Sequence, residues 1–124
     1  MHLILSIGIG GFIGSVLRYL LSRAVHSMFI ASFPLGTLTV NVIGCLLIGL
    51  VFELSERGGV AQPVRVFLAT GIVGGFTTFS AFSNETVAML RDGQFVDAGA
   101  YVLLSVTLGL MATFLGIAII RLLS

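Results

Sequence analysis

The chain has 124 residues, of which 57% are hydrophobic and 9% charged; six arginines, no lysine and five acids leave a net charge of +1. Soluble domains carry about 25% charged residues, so this composition marks an integral membrane protein. It excludes a Walker A phosphate loop, which needs lysine, and a polybasic nucleic-acid surface. At about 20 residues per helical crossing, there is room for roughly four spans joined by short connections.

The first span is expected over 3–28. Met1-His2-Leu3 lacks the basic region of a cleaved signal, so this run reads as a retained span. Its glycines, Gly8, Gly10, Gly11 and Gly14, read as packing positions, with Gly10 and Gly14 forming a small-xxx-small pair. The superficially nucleotide-like run from Gly8 to Gly14 has the wrong spacing and follows no strand. Arg18 lies deep enough to be costly against lipid, so it either snorkels to the interface or draws anions into a vestibule.

After Pro34, the second span is expected over 35–52, with Thr37, Asn41, Gly44 and Cys45 forming a small or polar stripe at helical spacing. Cys45 is the only cysteine and reads as a small core residue. A loop follows, from Ser55 to Gly59 and including Pro63. The third span is expected over 66–90 and ends in a tight turn, Arg91-Asp92-Gly93-Gln94. The fourth, over 96–122, places Tyr101, Ser105 and Gly109 on one face. His2 and His26 have no metal-ligand spacing and read as interfacial.

The third span carries the most information. From Gly71 to Glu85 it holds three glycines, two threonines and three phenylalanines, inside a stretch uncharged from Val66 to Asn84. Gly74-Gly75 disfavours a helix by roughly 1 kcal/mol per residue, and β-branched Thr77 and Thr78 add little back. The helix is expected to unwind at this diglycine, near the bilayer midplane. Freed carbonyls at such a depth either form a site for a small desolvated cation or belong to a plain kink that binds nothing. Phe79 and Phe82 share a helix face, and ring edges present a weakly positive, water-free rim suited to an anion. Asn41, Ser80, Ser83, Asn84, Tyr101 and Ser105 supply neutral donors that also suit an anion path. For each singly, and for Ser105 and Thr37 above all, interhelical hydrogen bonding is the competing explanation. Glu85 marks either a pore mouth or an ordinary interfacial charge.

Four spans put Arg57, Arg65 and Arg121 on one side and Arg18, Arg23 and Arg91 on the other. Three against three gives the positive-inside rule nothing to act on, so insertion both ways and an antiparallel dimer are expected.

On the string from Gly74 to Ser83, with Gly36-Thr37-Leu38-Thr39-Val40-Asn41 and Gly14-Ser15-Val16-Leu17-Arg18-Tyr19 upstream, the chain resembles the Fluc/CrcB fluoride channels over essentially its whole length. The resemblance implies an all-α membrane fold of four transmembrane helices with the third broken, in a dual-topology antiparallel homodimer with two fluoride pores. It implies a structural Na+ on the two-fold axis, held by the backbone carbonyls of Gly74 and Thr77. It assigns Phe79, Phe82 and Asn41 to the pore, Ser80, Ser83, Glu85, Tyr101 and Ser105 to its polar track, and Arg18 to the vestibule. Ala81 and Gly109 depart from the hydroxyl residues that other members carry. The partners implied are fluoride, membrane lipid and a second copy, with no nucleic acid; the place implied is a bacterial cytoplasmic membrane. Two other readings compete: a proton-coupled exporter, for which the first span lacks a carboxylate, and a non-conducting scaffold. No nucleophile and base pair or metal cluster suggests an enzyme.

Overall fold

The computed structural model describes residues 1–29 and 33–124. Regular structure among them is entirely helical: α1 (His2–Met28), α2 (Leu35–Glu56), α3 (Gln62–Arg65), a π-helical stretch (Val66–Val73), α4 (Gly74–Phe76), α5 (Phe79–Arg91) and α6 (Phe95–Leu123). The elements from α3 to α5 lie on one apolar segment, Gln62–Arg91, so four segments are long and apolar enough to cross a membrane. The 27 residues of α1 extend about 40 Å, beyond the ~30 Å of a hydrocarbon core. The chain is a multi-pass membrane protein.

The expected boundaries shift where polar groups find partners. α2 continues past 52 through Ser55 and Glu56, which were expected in a loop. Buried Glu53 holds this extra turn in place: its Oε1 accepts from Arg57 Nε at 3.3 Å and from Arg121 Nε at 2.9 Å. The third segment starts early for a similar local reason, since Pro63 occupies the first turn of α3, where its missing N–H costs nothing. The turns fall at Gly58 (φ 74°) and, as expected, Gly93 (φ 76°), in the left-handed region that favours glycine.

Two pairs of helices account for most of the packing: α2 on α6, and α1 on the first half of the third segment. Glycine permits both. A Cβ added at Gly10 would stand 2.9 Å from Gly71 Cα, and one at Gly14 would strike the Ile72 carbonyl. Gly49 meets the Thr113 carbonyl across the α2–α6 seam in the same way. The small-xxx-small pair Gly10 and Gly14 of α1 therefore faces a second pair of the same spacing, Gly71 and Gly75. Gly8 does not share this role, because nothing lies within 4 Å of its Cβ position; Gly11 takes part only through its backbone, against Gly75. Apolar burial concentrates around Tyr101, Ala98, Leu38 and Met89, with Phe33, Leu35, Val42 and Phe82 packed on them.

The third segment breaks, though not at the diglycine. Gly74 is helical (φ −59°, ψ −38°), and its N–H reaches back five residues to the Ala69 carbonyl. The extended residues are Thr77 (φ −94°, ψ 157°) and Thr78 (φ −150°, ψ 114°), at the middle of Gln62–Arg91. Gly75 serves a different purpose: a Cβ there would lie 2.7 Å from the Gly11 carbonyl. Gly75 lets α1 approach, and the threonines carry the change of direction.

Candidate functional site

A helix that opens in an apolar setting must place its freed peptide groups. Thr77 closes the first half, with its N–H and Oγ1 each donating to the Val73 carbonyl at 3.1 Å. Thr78 opens the second half as the N-cap of α5, its Oγ1 accepting from Ala81 N at 3.1 Å. Between them Asn41 of α2 grips the chain twice: Oδ1 accepts from Thr78 N at 2.8 Å, and Nδ2 donates to Thr78 O at 3.1 Å. The amide thus replaces the partner that a continued helix would have given Thr78 N and adds a second hydrogen bond to the Thr78 carbonyl. Gly44, one turn later on α2, leaves room for Thr77, because a Cβ there would strike Thr77 Cγ2.

Arg18 comes in from α1 and donates Nε to the Gly75 carbonyl at 3.0 Å. Thr78 N, which a continued helix would send to the Gly74 carbonyl, goes to Asn41 instead, and the Thr77 carbonyl accepts no hydrogen bond from any described residue. Gly74 and Thr77 line an open cavity of about 440 Å³ together with Asn41, Cys45, Phe79 and Ser105. The Ser105 hydroxyl is buried there with no hydrogen-bond partner among the described residues.

Aromatic rings form a row leading away from the break. Phe79 lies 5.5 Å from Phe82, Phe82 5.1 Å from Tyr101, and Tyr101 5.4 Å from Phe33, the last pair edge to face. The row runs from surface to core: Phe79 is 79% exposed and Tyr101 fully buried. Beyond it, Glu85 accepts from Tyr101 OH through Oε1 and from Thr37 Oγ1 through Oε2, both at 3.0 Å. Glu85 also borders a second cavity, of about 470 Å³, with Ser22, Arg23, His26, Thr37 and Asp92. Ser80 and Ser83 lie on the exposed side of α5, Ser80 sharing a 3.2 Å hydrogen bond with Thr78.

Asn41, Phe79, Phe82, Ser105, Gly74 and Thr77 thus meet at one cavity, while Glu85 and Tyr101 stand at the inner end of the aromatic row. Arg18 sits against the break and does not border either cavity described above. Three features went unread in the sequence. Thr78, not the diglycine, is the residue that Asn41 grips; Phe33 extends the aromatic row; and Thr37 pairs with Glu85. The Thr37-Asn41 spacing hinted at the last, whereas Phe33 stands outside any helix and has no periodic signal.

Chemically, the site presents peptide oxygens, ring edges and neutral donors. Peptide oxygens are hard ligands able to hold a small cation, and donors with ring edges suit a small anion.

Comparison with known proteins gives a consistent result. The family described as "CrcB-like protein, Camphor Resistance (CrcB)" matches residues 5–117. A fluoride-specific ion channel FluC from Geobacter sulfurreducens is 48% identical over 98% of both chains. The FluC proteins of Flavobacterium psychrophilum and Phocaeicola vulgatus are 46% and 43% identical, over 98% and 94% of this chain and 98% and 97% of their own. A match of this identity across nearly the whole length, with the break and its clamp in place, means that the chain belongs to the CrcB family of fluoride channels.

Proposed function

We propose that this protein is a fluoride-selective channel, and not an enzyme, that lets fluoride leave the cytoplasm passively and so lowers its toxicity. The observation that carries this reading is the break itself. A membrane segment is opened at Thr77–Thr78, braced by Asn41, and left with a Thr77 carbonyl that no described residue pairs, beside the exposed ring of Phe79. Peptide oxygens and a 79% exposed Phe79 on one face of a membrane-spanning subunit call for a cover. A second copy supplies one. Three arginines on each side leave the two orientations balanced, so the assembly is an antiparallel homodimer, with dual topology in a bacterial cytoplasmic membrane.

In that assembly, a two-fold axis beside Gly74 and Thr77 brings together their carbonyls from both copies. The residues fit a structural Na+: the donors are neutral oxygens of a fixed backbone, and that of Thr77 takes no hydrogen bond from a described residue. Bound there, the ion would offset the dipoles of the broken helices at the dimer centre. The Arg18 bond to Gly75 and the Asn41 bonds to Thr78 fix the peptide planes on either side.

Fluoride travels through two pores, one along each copy's polar face. Asn41 uses one Nδ2 hydrogen on Thr78 and keeps the other for the ion. The Ser105 hydroxyl is free to donate, and the ring edges of Phe79 and Phe82 carry the anion where water is excluded. Ser80 and Ser83 extend the donors along α5, while Tyr101 and Glu85 form the inner end. Arg18 adds a positive charge that favours anions near the break. The direct test is fluoride efflux from liposomes containing only this protein, followed with a fluoride electrode. Rapid efflux of fluoride with negligible chloride is expected. Equal rates for both, or none for either, would refute the reading.

A further inference from the structure

The α2–α6 seam carries one polar group that the path above does not use. Cys45 lies one turn beyond Asn41 and borders the same cavity as Thr77, Phe79 and Ser105. Its backbone is anchored, because Thr113 Oγ1 of α6 donates to the Cys45 carbonyl at 3.1 Å. Its thiol fills space that Gly109 leaves open: a Cβ at Gly109 would stand 3.3 Å from Cys45 Sγ. One turn away on α6 is the buried Ser105 hydroxyl, which no described residue satisfies. An unpaired buried hydroxyl is costly, so a polar occupant of this cavity is the natural partner for it. A thiol beside such an occupant is a weak donor, not an inert core atom.

We infer that Cys45 lines the ion path next to Ser105 and is a modification site, at which a small thiol-directed electrophile shuts the channel. The inference rests on the channel reading and adds a residue to it. With methyl methanethiosulfonate, the Cys45 thiol gives its proton to water and its sulfur attacks the reagent's sulfenyl sulfur. The new S–S bond leaves a methylthio group on Cys45, and the sulfur–sulfonyl bond breaks with its electron pair leaving on methanesulfinate. The cysteine sulfur is thereby oxidised to the disulfide level and the sulfonyl sulfur reduced. Thiolate is the reactive form, so fast reaction itself reports contact with water or polar surroundings, as a thiol packed in hydrocarbon stays protonated.

Cys45 is the only cysteine, which makes the experiment clean. The full-length protein in liposomes is treated with the reagent, labelling is measured by mass, and fluoride efflux is recorded before and after. We expect labelling of one thiol per chain, a fall in efflux of about tenfold or more, and slower labelling at saturating fluoride. Cys45→Ser, measured against its own baseline, keeps its efflux when the reagent is added. Complete labelling without loss of efflux would overturn the inference. So would labelling at the same rate with and without fluoride, equal inhibition of C45S, or a thiol that reacts only after unfolding. No efflux before treatment would instead refute the channel reading.

Discussion

Replacing Asn41 by leucine, which has nearly the same size, tests the clamp most directly. The change removes two hydrogen bonds, at 2.8 and 3.1 Å, and leaves the Thr78 N–H without its partner, whereas the Thr78 carbonyl keeps its role at the first turn of α5. Side-chain hydrogen bonds within membranes average about 0.6 kcal/mol, whereas stranding a buried donor or acceptor costs about 1–3 kcal/mol. The two bonds together are therefore worth about 1–4 kcal/mol, with the upper part reached only if Thr78 finds no other partner. Thr78 N has one alternative in a regular helix, the Gly74 carbonyl one turn back, which it does not use here. Taking it would straighten Thr77 and Thr78 into a continuous helix and consume an oxygen of the proposed cation site. A shift of about 2 kcal/mol toward that state lowers the ratio of open to straight form roughly 30-fold, at about 1.4 kcal/mol per tenfold. Asn41→Leu should accordingly lower fluoride efflux per channel by about tenfold or more, while the protein still inserts and folds. Asn41→Asp separates the two bonds: its carboxylate still accepts from Thr78 N but cannot donate to Thr78 O, and it adds a charge that repels the ion. Efflux is measured with a fluoride electrode and folding by thermal denaturation in detergent. Wild-type efflux from N41L at unchanged stability would refute the reasoning, since neither the clamp nor the donor would then matter.

Gly44→Ala places a methyl group on Thr77 Cγ2, so overpacking of about 1–3 kcal/mol should displace the break and depress efflux, and a wild-type rate would show that Thr77 moves freely. Phe79→Ile should slow fluoride efflux with little change in subunit melting temperature, because the ring is 79% exposed in the single subunit. Phe82→Ile should affect both readouts, as it loses two ring contacts worth about 0.5–1.5 kcal/mol each; equal melting shifts in the two variants would contradict the ordering of the row. Glu53→Gln keeps an oxygen that can accept from Arg57 and Arg121 but removes the charge they share, so only a small loss of stability is expected, since both arginines reach solvent. Its efflux should be unchanged, and a loss of conduction would connect the α2–α6 end to the pore. Removing Na+ by exhaustive exchange should weaken the dimer, read by subunit exchange between labelled copies; an unaltered exchange rate with the ion shown to be gone would count against the carbonyl site.

The membrane class, the number of spans and the polar break were legible because each rests on composition over a long window. Four apolar runs of about 20 residues leave few alternatives for a chain of this size. The helix ends were less legible, because partners distant in sequence set them. Glu53 ends no helix, although charge after a long apolar run suggests an end, because Arg121 in the last turn of α6 reaches it and Arg57 stabilises the extra turn. Pro63 resembled loop punctuation, yet position within the first helical turn reverses its meaning.

The position of the break shows the same difficulty at the site. Propensity points to Gly74-Gly75 as the weakest place in the helix, and that inference holds for an isolated helix. In the folded chain the relevant property of Gly75 is its missing Cβ, which admits the α1 backbone against the Gly11 carbonyl. Close backbone packing makes a helix firm at such a place, so the opening moves to the nearest residues that can satisfy an extended chain. Thr77 and Thr78 meet this need: each has a hydroxyl for a local hydrogen bond, and Asn41 stands opposite to take the peptide of Thr78. Gly75 and the threonines thus divide the work, one bringing α1 and its Arg18 to the Gly75 carbonyl, the others turning the chain aside. If this division is right, Gly75→Ala should damage the docking of α1 before it alters the dihedral angles of Thr77. The variant would then lose stability more than it loses the selectivity of whatever channels still assemble.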